Sequence, residues 1–285
     1  MQWLGRRESS NVDDRRGISG GGIATGGGII GVIIYLVYSF LSGNDIDPSQ
    51  IPSVSANGPA TTLSPADKEA DDKRAAFVKV VLADTEDIWG ELFKKQGKQY
   101  TDPTLVLFRD QVNSACGGAS AASGPFYCPG DSKLYVDLSF YQDMQTKLNA
   151  PGDFAMAYVI AHEVGHHIQN LDGTADKIGR MRQQSSEVDA NKLSVMMELQ
   201  ADFYAGVWAH YEQQKNNIVE AGDIEEALNA ANAIGDDRLQ KQSSGRVVPD
   251  AFTHGTSQQR VYWFKKGYDT GDMSQGNTFA ALSGN

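Results

Sequence analysis

The sequence predicts an α+β fold, mainly helical with a small sheet, preceded by one transmembrane helix. Two segments with alternating β-branched and aromatic residues, 104–108 and 133–141, predict the strands of the sheet. Longer stretches with apolar residues at helical spacing predict helices, of which the clearest span residues 65–95 and 187–214. An apolar, uncharged run within residues 18–42 is long enough to cross a bilayer.

The charges on either side of this run predict the membrane topology. Four arginines precede it and two aspartates follow it. The positive-inside rule therefore predicts a single-pass anchor in the cell inner membrane, with a cytoplasmic N-terminus and a periplasmic domain. A cleaved signal peptide is the alternative, although the run is long for one and no small-residue cleavage site follows closely. The predicted segments are a cytoplasmic N-terminus (1–17), the anchor (18–42), a linker rich in Pro, Ser, Asn and Thr (43–65) and one domain (66–285).

The composition narrows the class of partner. The hydrophobic content of 40% and the charged content of 21% are ordinary for a globular protein. The net charge is −11, and no basic cluster follows the N-terminus, which argues against nucleic acid as a partner. Neither the oligomeric state nor a partner protein follows from the composition.

The chain contains two cysteines, Cys116 and Cys128, which flank a short segment rich in Gly, Ala and Ser. If the domain is extracytoplasmic, we expect a disulfide between them. A disulfide that closes a loop of this size would stabilise the fold by about 3 kcal/mol. Free buried thiols and zinc ligation are the alternatives.

The pattern H-E-x-x-H occurs once, at His162-Glu163-Val164-Gly165-His166. Residues four apart share one face of a helix, so His162 and His166 can present two imidazoles to one zinc ion. Glu163 is then placed to act as general base toward the attacking water. The pattern fixes only three positions and also occurs by chance, but the uncharged run 154–160 before it predicts a buried helix, as such a site needs.

A third ligand must come from elsewhere, since the position where a third histidine would follow in related motifs is Asp172. Glu198 and Asp202 lie four residues apart on the predicted helix 187–214, on a face that is otherwise apolar. We expect Glu198 to bind the metal and Asp202 to accept a hydrogen bond from a ligand histidine. The alternatives are that Asp202 is the ligand, or that both acids face solvent or basic neighbours.

A further histidine, His254, precedes a predicted helix whose cap is Thr256 or Ser257. From such a loop, His254 could donate a hydrogen bond to the oxyanion that forms when water adds to a peptide carbonyl, which would make it catalytic together with Glu163. Arg260 could do the same or bind a substrate carboxylate. A surface or capping role for His254 is the alternative.

Several separated motifs together resemble the bacterial neutral zinc metallopeptidases, a family also seen as membrane-anchored proteins. The resemblance covers nearly the whole chain and implies a zincin-like domain, similar to the gluzincin group, with one zinc ion per chain. By this likeness His162, His166 and Glu198 carry over as ligands and Glu163 as base. The motifs span residues 124–129, 162–169, 198–208 and 257–260.

The function expected from these observations is that of a membrane-anchored, zinc-dependent metallopeptidase acting on a peptide or protein. An edge strand within residues 126–140 is expected to pair with the extended substrate. The alternative from another class is a membrane-anchored binding or scaffold protein with a structural or vestigial zinc site. A zinc hydrolase acting on a non-peptide bond is a third hypothesis, because the motif defines the activated water and not the substrate.

Overall fold

The computed structural model describes residues 1–17 and 64–282, and their fold is α+β and mainly helical with a small sheet, as predicted. The predicted transmembrane anchor lies outside the described residues. No helix within the described ranges is both long and apolar enough to cross a membrane. The strands are β1 (Val12–Asp14), β2 (Thr104–Phe108), β3 (Gln111–Ser114), β4 (Gly117–Ser120), β5 (Phe126–Cys128) and β6 (Lys133–Asp137).

The helices make up most of the domain. Their bounds are α1 (Pro65–Lys95), α2 (Phe140–Thr146), α3 (Asp153–Leu171), α4 (Thr174–Gln183), α5 (Glu187–Asn216), α6 (Asp223–Ala233), α7 (Asp236–Ser244), α8 (Ser257–Thr270) and α9 (Thr278–Leu282).

Local capping explains where the long helices begin. The Ser64 side chain accepts a hydrogen bond from the Asp67 amide, with Pro65 as the first residue of α1. Thr256 and Gln259 form a capping box at the start of α8. The predicted long helices are confirmed as α1 and α5, to within two residues at their ends.

The main sheet has the strand order β1-β2-β6-β5. β1, β2 and β6 run parallel, and β5 pairs antiparallel to β6 at one edge. The predicted strand 104–108 is confirmed, but the predicted strand 133–141 ends at residue 137. The Asp137 carboxylate accepts hydrogen bonds from the amides of Asp110 and Ser139, which turns the chain into α2.

The N-terminal segment belongs to the domain, so the prediction that residues 1–17 form a separate segment is wrong. Backbone hydrogen bonds join β1 to β2, for example from the Leu105 amide to the Asn11 carbonyl at 2.9 Å. Arg6 lies 2.7 Å from Asp84 of α1. A membrane separating this segment from residues 66–285 is incompatible with that pairing, because the two parts share one sheet.

The disulfide between Cys116 and Cys128 is present and confirms that prediction. It links the β3–β4 hairpin to β5, with 5.8 Å between the two Cα atoms. β5 is therefore held on one side by β6 and at its end by the disulfide.

Helix α3 lies at the centre of the core and is buried along nearly its whole length. It packs against α1, α5, α6 and β5. α5 crosses α3 at Gly165, where a Cβ atom would lie 2.9 Å from both Cα and O of Ala201. This close crossing brings the middle of α5 against the face of α3 that carries the histidines.

Candidate metal centre

Three predicted ligands come together where α3 and α5 cross. His162 Nε2 lies 3.1 Å from Glu198 Oε2, and His166 Nε2 lies 3.4 Å from Glu198 Oε1. One donor atom from each side chain lies within 4.8 Å of the other two. Helical spacing on α3 aligns the imidazoles, and the crossing at Gly165 brings Glu198 opposite them.

A carboxylate behind His162 fixes its tautomer. Asp202 Oδ1 lies 2.8 Å from His162 Nδ1, on the side away from Glu198. Burial would raise the pKa of Asp202, but the charge of Arg260 and the contacts with His162 outweigh it and lower the pKa. An ionised carboxylate can only accept, so Nδ1 carries the proton and the Nε2 lone pair faces Glu198.

Asp202 is itself held by two further side chains. Arg260 donates to both of its oxygens, at 2.8 and 2.9 Å, and the Tyr158 hydroxyl donates to Oδ1 at 2.6 Å. All three side chains are at most 2% exposed. Asp202 therefore lies behind His162 as an orienting group and outside the cluster of three donors.

The expectation that Arg260 stabilises an oxyanion or binds a substrate carboxylate is wrong. Its guanidinium is 2% exposed and is occupied by Asp202 and Tyr158. Burial would lower the pKa of Arg260, but the charge of Asp202 outweighs this and the pKa is raised. Arg260 acts inside the protein as the partner of Asp202.

The electrostatics of the three donors favour a positive charge between them. Burial would lower the pKa of His166, but the Glu198 carboxylate outweighs it and raises the pKa to about 9. Burial would likewise raise the pKa of Glu198, yet the histidines hold that pKa well below its usual value. The carboxylate thus attracts a cation, and protons on the imidazoles would compete with a metal ion for this place.

The donor set fits zinc. Two neutral imidazoles and one carboxylate are the protein ligands of one common class of catalytic zinc site. A second group of acids within the described ranges, Asp153, Asp223 and Glu226, has only oxygen donors. There the Met1 amino group lies 2.8 Å from Asp153 and 3.2 Å from Asp223, so an ammonium group already pairs with two of the three carboxylates.

Glu163, the predicted base, is 8% exposed and lies beside the three donors. Burial raises its pKa, the neighbouring histidines lower it, and repulsion from Glu198 raises it again, so the net shift is upward. The backbone amide of Tyr127 donates to the carboxylate. Glu163 therefore faces β5, the edge strand of the main sheet.

His254, the other predicted catalytic residue, lies in the loop before α8, and its side chain is 52% exposed. Asp236 holds this loop, because its Oδ2 accepts hydrogen bonds from the amides of Thr253, His254 and Gly255. Its Oδ1 lies 3.2 Å from His254 Nδ1. Burial would lower the pKa of His254, but Asp236 and then Glu198 outweigh it and raise the pKa.

His167, the histidine next to the predicted ligand His166, has a different role. It is fully buried. Its Nε2 lies 2.7 Å from the Thr101 carbonyl and its Nδ1 3.0 Å from the Tyr127 hydroxyl. A carbonyl only accepts, so Nε2 carries the proton and holds the segment before β2, while Nδ1 holds Tyr127 of β5 against α3.

Three residues that touch the site were not identified from the sequence: Tyr158, Gln169 and Asp236. Tyr158 lies four residues before His162 and Gln169 three residues after His166, so helical spacing on α3 could have identified both. Asp236 is distant in sequence from every motif, and no pattern in the chain points to it.

Comparison with known proteins agrees with this geometry. The model of the family described as "Putative neutral zinc metallopeptidase" matches residues 1–279. The chain is 52% identical over 288 residues to the uncharacterized protein YpfJ of Escherichia coli K12, covering 98% of this chain and 99% of the relative. It is 45% identical over 192 residues to the uncharacterized protein Rv2575 of Mycobacterium tuberculosis H37Rv, covering 64% of each. No solved structure matches the chain.

Proposed function

Because the chain belongs to the neutral zinc metallopeptidase family, we propose that it is a zinc-dependent peptidase that hydrolyses peptide bonds with Glu163 as general base. The observation that carries this proposal is the convergence of two imidazoles and one carboxylate within 4.8 Å. A further buried carboxylate, Glu163, follows the first of these imidazoles in the chain.

His162, His166 and Glu198 would hold one zinc ion per chain. The two imidazoles each offer Nε2, because their Nδ1 atoms face Asp202 and Gln169. A bound zinc ion would supply Lewis acidity, which lowers the pKa of water and polarises a carbonyl group. The side chains around it hold the donors in place and exclude bulk water.

Glu163 takes the proton of the attacking water and passes it to the leaving amine. Burial raises the pKa of Glu163 toward neutral pH. Such a pKa suits a group that must both accept and release a proton. The amide of Tyr127 keeps the carboxylate turned toward the strand beside which the substrate would lie.

His254 donates a hydrogen bond to the oxyanion of the transition state. Asp236 supports this role by accepting a hydrogen bond from Nδ1, so Nε2 can donate to the oxyanion when the imidazole carries protons on both nitrogens. The upward shift of the His254 pKa favours this doubly protonated form.

An extended peptide would bind along β5. This strand pairs with β6 on one side only, and its other edge has no strand partner in the described part of the chain. Backbone hydrogen bonds to such an edge recognise a peptide without regard to its sequence. An apolar cavity of about 200 Å³ between the first turns of α5 and the loop before His254 could take one substrate side chain. Val188, Val195, Met196 and Phe252 contribute to its lining.

The domain is proposed to work outside the cytoplasm. The disulfide between Cys116 and Cys128 supports this location, because such bonds persist in oxidising compartments.

The variant Glu163→Gln tests whether Glu163 is the general base of peptide hydrolysis. Glu163→Gln keeps the three donors and removes the base, so it should retain one zinc ion per chain and lose at least about 100-fold in rate. The full-length protein, loaded with Zn²⁺, would be incubated with an unfolded protein substrate while new amino termini are counted.

The possible results distinguish the role of Glu163, the scaffold hypothesis and the metal centre itself. Equal rates for wild type and Glu163→Gln would contradict the role of Glu163 and point to a contaminating protease. One zinc ion bound by both proteins, with no cleavage by either, would favour the binding or scaffold hypothesis. Absence of zinc binding by the wild type would overturn the metal centre itself.

A further inference from the structure

The group behind His166 differs from the group behind His162. Gln169 follows His166 by one helical turn, is fully buried, and places its Oε1 2.9 Å from His166 Nδ1. Its Nε2 lies 2.7 Å from the Met197 carbonyl and 3.1 Å from Gln200 Oε1. The amide therefore touches α5 with its nitrogen and the histidine with its oxygen.

The Met197 carbonyl determines which way this amide points. A backbone carbonyl can only accept a hydrogen bond, so the group facing it must be the amide nitrogen of Gln169. The oxygen is then directed at His166 Nδ1, which must carry the proton. His166 is thereby held in the tautomer whose Nε2 lone pair faces Glu198.

Gln200 extends this arrangement toward the C-terminal segment. It is 6% exposed, and its Nε2 donates to the Gly276 carbonyl at 2.9 Å. That carbonyl again fixes the orientation of the amide, so Oε1 of Gln200 faces Gln169. The Thr278 hydroxyl donates to the Met196 carbonyl at 2.7 Å and fastens the same segment to α5.

A neutral acceptor suits this position. The Glu198 carboxylate already lies 3.4 Å from His166 Nε2, and Glu163 is a second buried carboxylate beside it on α3. A carboxylate at residue 169 would bring a third negative charge next to them. An amide instead orients the ring through one hydrogen bond without adding charge.

We propose that Gln169 is a positioning residue of the metal centre, which fixes the tautomer and orientation of His166, and that Gln200 holds it there. The inference rests on the proposed function, because it requires that His166 binds zinc. It assigns the support of the second histidine to two amides that link α3, α5 and the segment before α9.

Zinc affinity of the full-length protein tests the proposal, measured by competition with a chromophoric chelator. Gln169→Met fills similar space without a strong acceptor and should weaken zinc binding about 10–100-fold. Gln200→Met leaves the Gln169 acceptor in place and should weaken binding less. The absorption spectrum of bound Co²⁺ should change in Gln169→Met, because the ligand geometry changes.

Two controls separate positioning from loss of stability. Val81→Ala truncates a buried residue of α1, a helix that contributes no donor to the site, and should lower the melting temperature without changing zinc affinity. Gln142→Met changes an exposed glutamine and should change neither. Gln169→Glu restores an acceptor facing His166 and should bind zinc more tightly than Gln169→Met.

The outcomes are distinct. Zinc binding by Gln169→Met within twofold of wild type would overturn the proposal. An equal loss of affinity in Val81→Ala would also overturn it, because the effect would then be one of stability. If Gln169→Met does not fold, Gln169→Glu carries the test. A loss of zinc affinity of up to about tenfold would support the proposal, because the acceptor remains and only the donor to the Met197 carbonyl is lost, and a larger loss would count against it. Failure of the wild type to bind zinc would instead refute the proposed function.

Discussion

At the scale of single residues, the site depends on buried acceptors that leave each imidazole one possible proton position. Asp202 and the oxygen of Gln169 both face an Nδ1 atom, so both histidines offer Nε2 on the same side. The acceptors are not equivalent, because Asp202 carries a charge that Arg260 balances, whereas Gln169 is neutral. The loss of either acceptor should therefore weaken metal binding, but only the loss of Asp202 leaves a buried charge without its partner.

Asp202→Asn tests this difference. The change removes the charge that Arg260 pairs with, and breaking a buried ion pair in this way typically costs about 3–5 kcal/mol. We expect a large fall in the free energy of unfolding and a zinc affinity about 10–100-fold weaker, with one ion still bound at saturation. Chemical denaturation and zinc titration would measure the two effects. Complete loss of zinc in this variant, with zinc retained in Glu198→Ala, would make Asp202 the ligand.

At the scale of secondary structure elements, the distance between α3 and α5 decides whether the donors meet. Gly165 occupies a variable position of the H-E-x-x-H pattern, and the missing side chain allows α5 to approach. Glu198 lies one turn before Ala201, the residue that contacts Gly165, and so reaches both histidines. The glycine in the motif thus has a packing role that the pattern itself does not state.

Gly165→Ala should separate the two helices. The added Cβ would lie 2.9 Å from the Ala201 backbone, and overpacking of this kind typically costs about 1–3 kcal/mol. Glu198 should move away from His162 and His166, so zinc affinity should fall together with stability. Calorimetry and zinc titration would follow both quantities.

Gly179→Ala is the matched control for that change. Gly179 lies in α4, and a Cβ atom there would have no neighbour within 4 Å. Alanine is the better helix former, so this variant should be more stable by up to about 1 kcal/mol, with unchanged zinc affinity. Similar zinc affinities in the two alanine variants would contradict the role assigned to the crossing.

At the scale of the whole molecule, the N-terminal segment is joined to the domain through charged groups buried against α1 and α5. Arg6 lies 2.7 Å from Asp84 and 3.8 Å from Glu212, and the Glu212 side chain is fully buried. Burial, with repulsion from Asp84, raises the pKa of Glu212 from 4.5 to about 7, against the opposing effects of Asn216 and Arg6. One arginine thus faces two carboxylates in the interior.

This cluster predicts a pH dependence of stability. Between pH 4.5 and about 7 the folded protein holds the Glu212 proton more tightly than the unfolded chain does. The contribution of Glu212 to the free energy of unfolding therefore falls as the pH rises, and it levels off above about pH 7. Glu212→Gln removes this contribution. The free energy of unfolding of the variant minus that of the wild type should therefore rise by on the order of 2–3 kcal/mol from pH 5 to pH 8. Parallel stability curves would contradict the prediction, and Glu225→Gln, at an exposed glutamate, is the control.

The pairing of β1 with β2 also predicts the topology of the intact protein. Residues 1–17 and the rest of the domain should lie on the same side of any membrane, because one sheet contains both. Cysteines introduced at Leu4 and Tyr262, which are 76% and 57% exposed, should be labelled together by a membrane-impermeant maleimide in intact cells. Labelling of only one position would contradict the pairing, and labelling of neither would contradict the extracytoplasmic location.

The sequence by itself determined the features that depend on local spacing. The α+β class, the helices α1 and α5, the strand β2, the disulfide partners and the pairing of His162 with His166 follow from periodicity or from the number of cysteines. Glu198 and Asp202 could be identified because two acids on an apolar helix face require a partner.

Only the tertiary structure decided which groups from distant parts of the chain meet. It placed Arg260 behind Asp202 in the interior of the protein, and Asp236 under the loop of His254. It also joined residues 1–17 to the main sheet, where the charge pattern had predicted a membrane between them. Charge and hydropathy describe how a segment interacts with solvent or lipid, whereas strand pairing and buried ion pairs depend on contacts that no local pattern contains.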